Sequence, residues 1–267
     1  MATVTTPRVH RLFHREEVMG TFVTFDGYFL SAVPHDAHGA LEDAVGELHR
    51  IDRIFSTWKL ESPVSRLRRG ELGLGEAPDE VREVLDSCLT ARRASGGWFD
   101  PWRLPGGVDP TGYVKGWAAQ RALDRFQRPG MIGAVVNAAG DIATVGIPAP
   151  GQRFRLGVVD PADRRRLATV VEPPGAVATS GTYERGAHLV NPHTGSPQAL
   201  VASATVTGPD LGLCDALATG LCVGGEDALP ALDRLAGYEA LLIPFHGAWK
   251  WSRGFPFAPD TAPVRAR

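Results

Sequence analysis

GPDLGLCDALATGLCVGG, residues 208–225, contains the helix on which the other sequence predictions depend. Its apolar residues recur at intervals of three and four, which predicts a helix with one buried side. Thr207 is the candidate N-terminal cap, and Asp210 three residues on could complete a capping box. Pro209 is tolerated in the first turn, and Gly224–Gly225 ends the helix. The buried side is predicted to carry Leu211, Cys214, Ala218, Leu221 and Cys222.

Asp215 and Thr219 lie four residues apart on this predicted helix and therefore share one face. A carboxylate and a hydroxyl one turn apart, beside an apolar stripe, offer two hard oxygen ligands to Mg²⁺. In the alternative interpretation Asp215 faces solvent and Thr219 bonds back to its own helix, which is common for threonine. The helix alone leaves both interpretations open.

The composition is ordinary for a globular protein. Of the 267 residues, 43% are hydrophobic and 22% are charged, and the formal net charge is −2. This length predicts one large domain or two small ones with a sizeable core. The charge balance provides no overall attraction to nucleic acid or to an anionic membrane. The arginine run 164–166 is predicted to be a solvated turn rather than a phosphate-binding patch.

The N-terminal sequence has no apolar run long enough for a signal peptide or a spanning helix, so a cytoplasmic location is the default expectation. The cysteines are odd in number and occupy apolar positions of predicted helices. They are therefore expected to be reduced, buried thiols. These residues are Cys88, Cys214 and Cys222.

Helical and strand patterns are interspersed along the chain. Besides residues 208–225, helices are predicted over 35–54, 63–68, 78–95, 113–126 and 227–235. Strands are predicted over 18–30 with Gly27 at a turn, 132–137, 141–147, 154–159, 167–172, 176–180, 201–207, 240–244 and 248–252. Helices alternating with mainly antiparallel strands predict an α+β fold rather than a doubly wound sheet.

Two loops place an Asp directly before a Pro, which favours extended or turn geometry. Asp100 lies in WFDP, and Asp109 lies in VDPTGYVKG, where a predicted helix begins with Lys115 in its first turn. Lysine is unfavourable there for the helix dipole, and a nearby phosphate would explain its presence. The two turns are therefore predicted to form a ligand cradle, with simple turn formation as the alternative.

The loop TSGTYERGAHLVNPHTG, residues 179–195, crowds hydroxyl, Arg and His side chains between strands. Its His188 is a candidate general base, with a structural histidine as the alternative. The chain lacks the GxSxG motif of a serine hydrolase. In VVNAAGDI, Asn137 and Asp141 suit either a structural turn or the close approach of a flat ring or a pyrophosphate to the backbone.

In this order, the motifs resemble those of the ApbE family of flavin transferases. The resemblance runs from Met19 to about Gly225. It rests on MGT, FSTWK followed by S-x-x-S-R-L, G-x-FDP, VDPTGYVKGWA, VNAAGDI, ATSGTYERG-x-HLVNPHTG and DALAT. It implies an α+β, T-fold-like architecture of mixed, largely antiparallel sheets with packed helices. The implied domain covers residues 18–258, between a loose lead-in with a possible edge strand over 1–17 and a tail over 259–267.

The resemblance also implies an activity. Family members bind FAD and Mg²⁺, cleave the FAD pyrophosphate, attach FMN to a Thr hydroxyl of an acceptor protein and release AMP. The general base would be His188. The metal would be held by the side chains of Asp215 and Thr219 and by a backbone carbonyl near Gly112. The FAD contacts would be Met19, Trp58, Phe99, Asp100, Pro101, Asp109, Lys115 and Leu189.

The sequence departs from the family pattern in three places. Trp58 stands where the family often has Tyr, Pro63 and Val64 replace a segment that often contains an acidic residue, and the segment between FDP and VDP is short. A shorter segment would leave the flavin site more open or let the acceptor protein complete it. The alternatives to transfer are a Mg²⁺-dependent FAD diphosphatase and an FAD-binding protein without turnover.

Overall fold

The computed structural model of the chain describes residues 8–182 and 189–263. Its strands are β1 (His10–Val18), β2 (Thr21–Phe29), β3 (Met131–Ala138), β4 (Asp141–Gly146), β5 (Leu156–Val159), β6 (Leu167–Val171), β7 (Ala176–Gly181), β8 (Ser203–Gly208), β9 (Glu239–Ile243) and β10 (Lys250–Trp251). Its α-helices are α1 (Asp36–Phe55), α2 (Pro63–Arg68), α3 (Asp79–Ala94), α4 (Thr111–Phe126), α5 (Leu211–Gly224) and α6 (Leu229–Leu232). Short 3-10 helices cover Pro101–Arg103 and Gly225–Ala228.

Eight of the strands form one sheet in the order β1-β2-β3-β4-β7-β8-β9-β10. Each pair of neighbours in this sheet is antiparallel. The remaining two strands, β5 and β6, pair as a separate antiparallel hairpin. The predicted α+β class with largely antiparallel sheets is therefore confirmed. The consecutive strands predicted over 154–159, 167–172 and 176–180 do not form one sheet, because β7 joins the main sheet and β5–β6 does not.

The two faces of the large sheet are covered by different layers. Helices α1, α4 and α5 pack on one face, against side chains such as Phe25, Val206 and Leu242. The hairpin β5–β6 packs on the opposite face, together with Leu241 and Phe255. Leu241 and Leu242 belong to different cores because successive side chains of a strand point to opposite faces.

Helix α5 is buried on nearly all sides rather than on one. Only Leu213 and Thr219 among its residues are half-buried instead of buried. A helix that is apolar all round is typical of a protein interior. Its cap is Asp210, whose carboxylate accepts a hydrogen bond from the Leu213 amide at 2.6 Å. The predicted cap Thr207 instead lies inside β8, so this prediction is wrong.

The sheet extends beyond the predicted start of the domain. Residues 10–18 form β1 and pair along their whole length with β2, so the possible edge strand predicted within residues 1–17 is present. The turn predicted at Gly27 is wrong, because Gly27 lies inside β2. A Cβ atom at that position would lie 3.1 Å from the Phe126 ring, so the glycine makes room for α4 against the sheet. The true turn is at Met19 and Gly20.

The predicted state of the cysteines is confirmed, since Cys88, Cys214 and Cys222 are free and buried. Burial raises the pKa of the Cys88 thiol to about 12 and also raises the pKa of Cys214. Thiolates are the reactive form of cysteine, so both thiols are chemically inert at neutral pH. Within the described residues, none of the helices has the length and apolar character needed to cross a membrane.

A buried carboxylate of α1 forms ion pairs that link the helices packed on the sheet. Glu47 of α1 is 5% exposed and binds Arg50 through Nη2 at 2.9 Å and Arg121 of α4 through Nε at 2.8 Å. Arg125 Nε lies 3.3 Å from the same carboxylate, and Arg50 also binds Glu80 of α3 at 2.5 Å. Hydrogen bonds from Arg50, followed by those from Arg121, outweigh burial and lower the pKa of Glu47 to about 2.

The low pKa of Glu47 makes the stability of the fold depend on pH. A lowered pKa adds stability above the unfolded value of 4.5, and this stability is lost as pH falls towards 2. Integrated over that range, the contribution is about 3 kcal/mol. Glu47→Gln should therefore flatten the pH dependence of the unfolding free energy between about pH 2 and pH 4.5. Urea denaturation at a series of pH values measures this dependence.

The matched control is Glu42→Gln on the same helix, because Glu42 is exposed and makes no ion pair among the described residues. This control should keep the wild-type pH profile. Equal profiles for both variants would show that the Glu47 network does not couple folding to pH.

Candidate functional site

Two tight turns lie side by side at one end of the large sheet. Met19 and Gly20 join β1 to β2, and Ala139 and Gly140 join β3 to β4. All four have positive φ, from 52° to 98°, as in a type I′ hairpin turn. The pairing of β2 with β3 brings the two turns together, since Val23 at the start of β2 faces the end of β3. This end of the sheet forms the floor of a cleft.

The cleft has a volume of about 1440 Å³ and three kinds of wall. The end of α1 and the loop after it form one wall, the segment 98–115 and α5 form the second, and the β5–β6 hairpin forms the third. Pockets for drug-sized ligands usually measure about 300–1,000 Å³. The cleft therefore has room for a ligand of dinucleotide size.

The predicted site residues converge on this cleft. All of those that the structure describes line it, although they come from five separated segments of the chain. They are Met19, Trp58, Phe99, Asp100, Pro101, Asp109, Gly112, Lys115, Leu189, Asp215 and Thr219. The predicted base His188 lies outside the described residues, while its neighbour Leu189 is a buried residue of the cleft wall.

Lys115 is the cation at the centre of the cleft. Its ammonium pairs with the buried carboxylate of Asp141 and lies 3.9 Å from Oδ2 of Asp215. The sequence predicted a lysine in the first turn of a helix, to be explained by a phosphate, but α4 begins at Thr111, so Lys115 is past the first turn. Two carboxylates are its partners in the structure. The second oxygen of Asp141 is fully buried and has no hydrogen-bond partner among the described residues. Burying a polar atom without a hydrogen bond costs free energy. The unpaired oxygen of Asp141 therefore indicates that this cluster has a role beyond that of a structural ion pair.

Close contact between α4 and α5 positions Asp215. A Cβ atom at Gly116 would lie 2.4 Å from the carbonyl oxygen of Leu211, so only glycine permits this approach. The Gly116 amide donates a hydrogen bond to Oδ2 of Asp215 at 3.2 Å. Asp215 is thus held by the backbone of α4 and turned towards Lys115 rather than towards solvent. The interpretation of Asp215 as a solvated residue is wrong, because it is 3% exposed.

Thr219 lies one turn further along α5, beside Gly112. A Cβ atom at Gly112 would lie 3.7 Å from Oγ1 of Thr219, and Oγ of Ser180 lies 3.1 Å from it. The Asp215 carboxylate and the Thr219 hydroxyl, one turn apart on α5, are hard oxygen ligands of the kind that Mg²⁺ prefers. Among the described residues, no three His, Cys, Asp or Glu side chains come together in a metal-binding group. A metal here would therefore rely on Asp215 as its carboxylate ligand.

Both Asp-Pro turns form part of the cleft wall, and their carboxylates are already engaged. Asp100 accepts a hydrogen bond from the Trp102 amide at 3.0 Å and pairs with Arg92 at 2.5 Å. Asp109 accepts from the Thr111 amide at 3.0 Å and pairs with Arg68 at 2.9 Å. The alternative of turn formation is therefore confirmed. The role of these turns as a ligand cradle stays a prediction, which their position in the cleft wall supports.

Arg68 and Arg92 were missed by the sequence analysis. Arg68 follows the S-x-x-S-R-L motif and binds the carbonyl oxygens of Val108 at 3.3 Å and Pro105 at 3.1 Å, besides Asp109. It therefore secures the short segment between FDP and VDP. No local pattern indicates such a role, since the bond from Arg68 spans about forty positions of the chain.

Trp58 projects from a loop whose backbone is held by hydroxyl groups. Ser62 and Ser65 donate to the carbonyl oxygen of Ser56 at 2.5 and 3.0 Å, and Ser56 accepts from the Trp58 amide at 3.2 Å. The Trp58 side chain is nevertheless 90% exposed. An apolar ring of this size is rarely left in water, and at the rim of a cleft it suits stacking on a flat ligand.

The cleft also contains polar residues to which the sequence analysis assigned no ligand role. Asn137 accepts a hydrogen bond from the Gly140 amide at 2.8 Å and thereby stabilises the second tight turn. Ser180 is buried and touches Thr219, as described above. Arg164, from the run predicted to be a solvated turn, lines the third wall.

The fold and the cleft define an α+β protein with a large polar site at one end of an antiparallel sheet. The family model described as ApbE family matches residues 19–106 and 103–242. This match covers most of the chain, and the chain belongs to the ApbE family.

Individual relatives agree with this assignment. The chain is 34% identical over 147 residues to an FAD:protein FMN transferase of Vibrio cholerae, covering 51% of this chain and 44% of that protein. It is 34% identical over 145 residues to an FAD:protein FMN transferase of Rhodobacter capsulatus, covering 51% of this chain and 27% of the relative. The chain thus spans less than half the length of these curated relatives.

Solved structures share the fold. The flavin transferase ApbE from Vibrio cholerae superposes with a TM-score of 0.79 at 20% identity, covering 92% of this chain and 97% of the other. The ApbE protein from Thermotoga maritima gives 0.77 at 23% identity, covering 92% and 98%.

The helix contact at Gly116 generates a testable prediction. Gly116→Ala should destabilise the protein by about 1–3 kcal/mol, because the added methyl group overpacks the α4–α5 contact. The control Gly46→Ala lies on the exposed side of α1 with open space around it. It should instead raise stability by about 0.5–1 kcal/mol, since alanine favours a helix. Thermal unfolding of both variants checks the difference, and equal midpoints would refute the close contact.

Proposed function

We propose that this chain is a Mg²⁺-dependent FAD:protein FMN transferase. In the proposed reaction, a Thr hydroxyl of an acceptor protein attacks the flavin-side phosphorus of FAD. A new bond forms between the Thr oxygen and this phosphorus, the bond to the bridging oxygen breaks, and AMP leaves with that oxygen. The hydroxyl proton passes to a base, and the products are the FMN-modified acceptor and AMP.

The convergence of the predicted residues on one cleft carries this proposal. Five separated segments bring together a cation, a hard-oxygen set and an exposed aromatic ring. Phosphoryl transfer depends mainly on positioning and on stabilisation of negative charge, so a site for it needs few residues that react covalently. The names of the relatives support the same reaction.

The described residues have separable roles in this reaction. Trp58 would stack on a flat ring of FAD, and Met19 with Gly20 would let the ligand approach the backbone of the first tight turn. Lys115 would supply positive charge near the phosphates. Asp215, Thr219 and a carbonyl near Gly112 would hold Mg²⁺, which when bound supplies charge to stabilise the phosphate oxygens.

The acceptor hydroxyl needs a base because an alcohol is nearly inert as a nucleophile. His188 is the proposed base, on the strength of its position in the family motif. Its flanking residues support this role, since Ser180 and Leu189 both line the cleft.

The proposal is tested by incubating the purified protein with FAD and Mg²⁺. The reaction is run with and without EDTA, and with and without an acceptor protein that exposes the Thr of a flavinylation motif. AMP and FMN are followed by chromatography, and the acceptor is followed by intact mass spectrometry. AMP together with an acceptor heavier by one FMN is the expected result. AMP with free FMN and no adduct would make the protein a diphosphatase, and FAD bound without AMP would make it a binding protein.

The same assay tests the metal site. Asp215→Ala should lower Mg²⁺-dependent turnover at least about a hundredfold while reducing FAD binding less, because the metal ligand would be lost. Asp227→Ala, at an exposed position after α5, is the control and should keep full turnover. Turnover that survives in Asp215→Ala would show that the metal assignment is wrong.

A second substitution tests the proposed base. His188→Ala should slow transfer by about a hundredfold or more while FAD affinity stays unchanged, since a base acts on the acceptor proton. His38→Ala on the exposed side of α1 is the control. Loss of FAD binding in His188→Ala would make this residue a ligand contact or a structural residue instead.

A further inference from the structure

The arginine run 164–166 is exposed to solvent, and one of its residues borders the cleft. Arg165 is 89% exposed in its side chain, and its guanidinium lies 3.0 Å from Oδ1 of Asp163. Arg164 is also exposed and in addition lines the cleft. The prediction of a solvated turn is therefore confirmed for all three arginines, and Arg164 is the one that borders the cleft.

The turn that carries Arg164 has a well-defined backbone. The Asp160 amide donates to the Arg166 carbonyl oxygen at 3.0 Å, and the Arg166 amide donates to the Asp163 carbonyl oxygen at 2.9 Å. The Asp163 carboxylate also accepts from the Arg165 amide at 3.1 Å. These bonds close the loop between β5 and β6, so the backbone that carries Arg164 is held in a fixed turn.

The hairpin is attached firmly to the sheet. Val158 of β5 and Val171 of β6 are buried against Val177 and Leu241 on the outer sheet face. Lys115, Asp215 and Thr219 belong to the helical layer on the opposite face. The cleft lies at the sheet end between these layers, so the hairpin wall that carries Arg164 lies opposite the helical wall that carries Lys115.

The charges of the cleft indicate what Arg164 would bind. Lys115 pairs with Asp141, and Lys59 pairs with Asp52 at 2.5 Å. The charged residues among the described lining are four carboxylates (Asp52, Asp100, Asp109 and Asp215) and three cations (Lys59, Lys115 and Arg164). The described side chains that line the cleft therefore carry no excess positive charge, whereas a pyrophosphate carries two negative charges. Each cation that borders the cleft would favour such a ligand.

We propose that Arg164 binds the pyrophosphate of FAD from the hairpin side of the cleft, a role that rests on the proposed function. The planar guanidinium can donate two parallel hydrogen bonds to phosphate oxygens, which an ammonium cannot do. Together with Lys115 it would hold the diphosphate from both sides of the sheet end. Arg164 is thus assigned as a ligand-binding residue, and its neighbour Arg165 has no part in binding.

The experiment compares Arg164→Gln with Arg165→Gln, two equal changes of charge on one turn. Dissociation constants for FAD are measured by flavin fluorescence with Mg²⁺ present and no acceptor, at low and at high ionic strength. Arg164→Gln should weaken FAD binding about tenfold at low ionic strength, and the difference from wild type should narrow at high ionic strength as salt screens the contact. Arg164→Lys should recover part of the loss, and Arg165→Gln should match wild type.

Two results would overturn the role of Arg164 alone. Equal affinities in Arg164→Gln and Arg165→Gln would exclude a ligand contact. A loss of FAD affinity in Arg164→Gln that is independent of ionic strength would show that Arg164 contacts an uncharged ring of FAD rather than its phosphates. Failure of the wild-type protein to bind FAD would overturn the proposed function itself, which keeps the two failures distinguishable.

Discussion

The contact between α4 and α5 is the constraint on which the cleft depends. At Gly116 the helices approach so closely that a methyl group would collide with the Leu211 carbonyl oxygen. This approach lets the backbone amide of Gly116 bind Asp215, and it brings Thr219 beside Gly112. Because α5 is buried on nearly all sides, it cannot rotate to expose Asp215 and Thr219 to solvent. The hard oxygens of the cleft are therefore a consequence of helix packing.

The floor of the cleft is a second consequence of the backbone. Met19 and Ala139 adopt positive φ in hairpin turns where glycine would be free of strain, at a cost of about 1–2 kcal/mol each for a residue with a side chain. Both residues line the cleft. Strained positions of this kind persist where the surrounding structure holds them, and here the pairing of β2 with β3 does so. The strain therefore lies where a ligand would meet the backbone, not at a distant surface turn.

The sequence predicted the positions of the helices well, but it predicted the tertiary contacts between residues less well. The spacing of apolar residues located α1, α3, α4 and α5, because helix periodicity is a local property. It did not show that Gly27 makes room for Phe126 or that Arg68 binds a loop forty positions away, because both depend on tertiary contacts. Lys115 shows the same limit within the cleft. The sequence placed it in the first turn of a helix starting at Tyr113, but α4 begins at Thr111, and its partner Asp141 comes from β4.

The short segment between the two Asp-Pro turns bears on whether the proposed reaction uses a protein or water as its acceptor. Three contacts from Arg68, to Asp109, Val108 and Pro105, hold this segment down beside the cleft. Across the cleft, Trp58 stays 90% exposed. An enzyme that uses water as acceptor gains from closing its site, whereas one that modifies a protein side chain must leave an opening for a polypeptide. A rim that is held in place and open to solvent is the arrangement that a macromolecular acceptor requires.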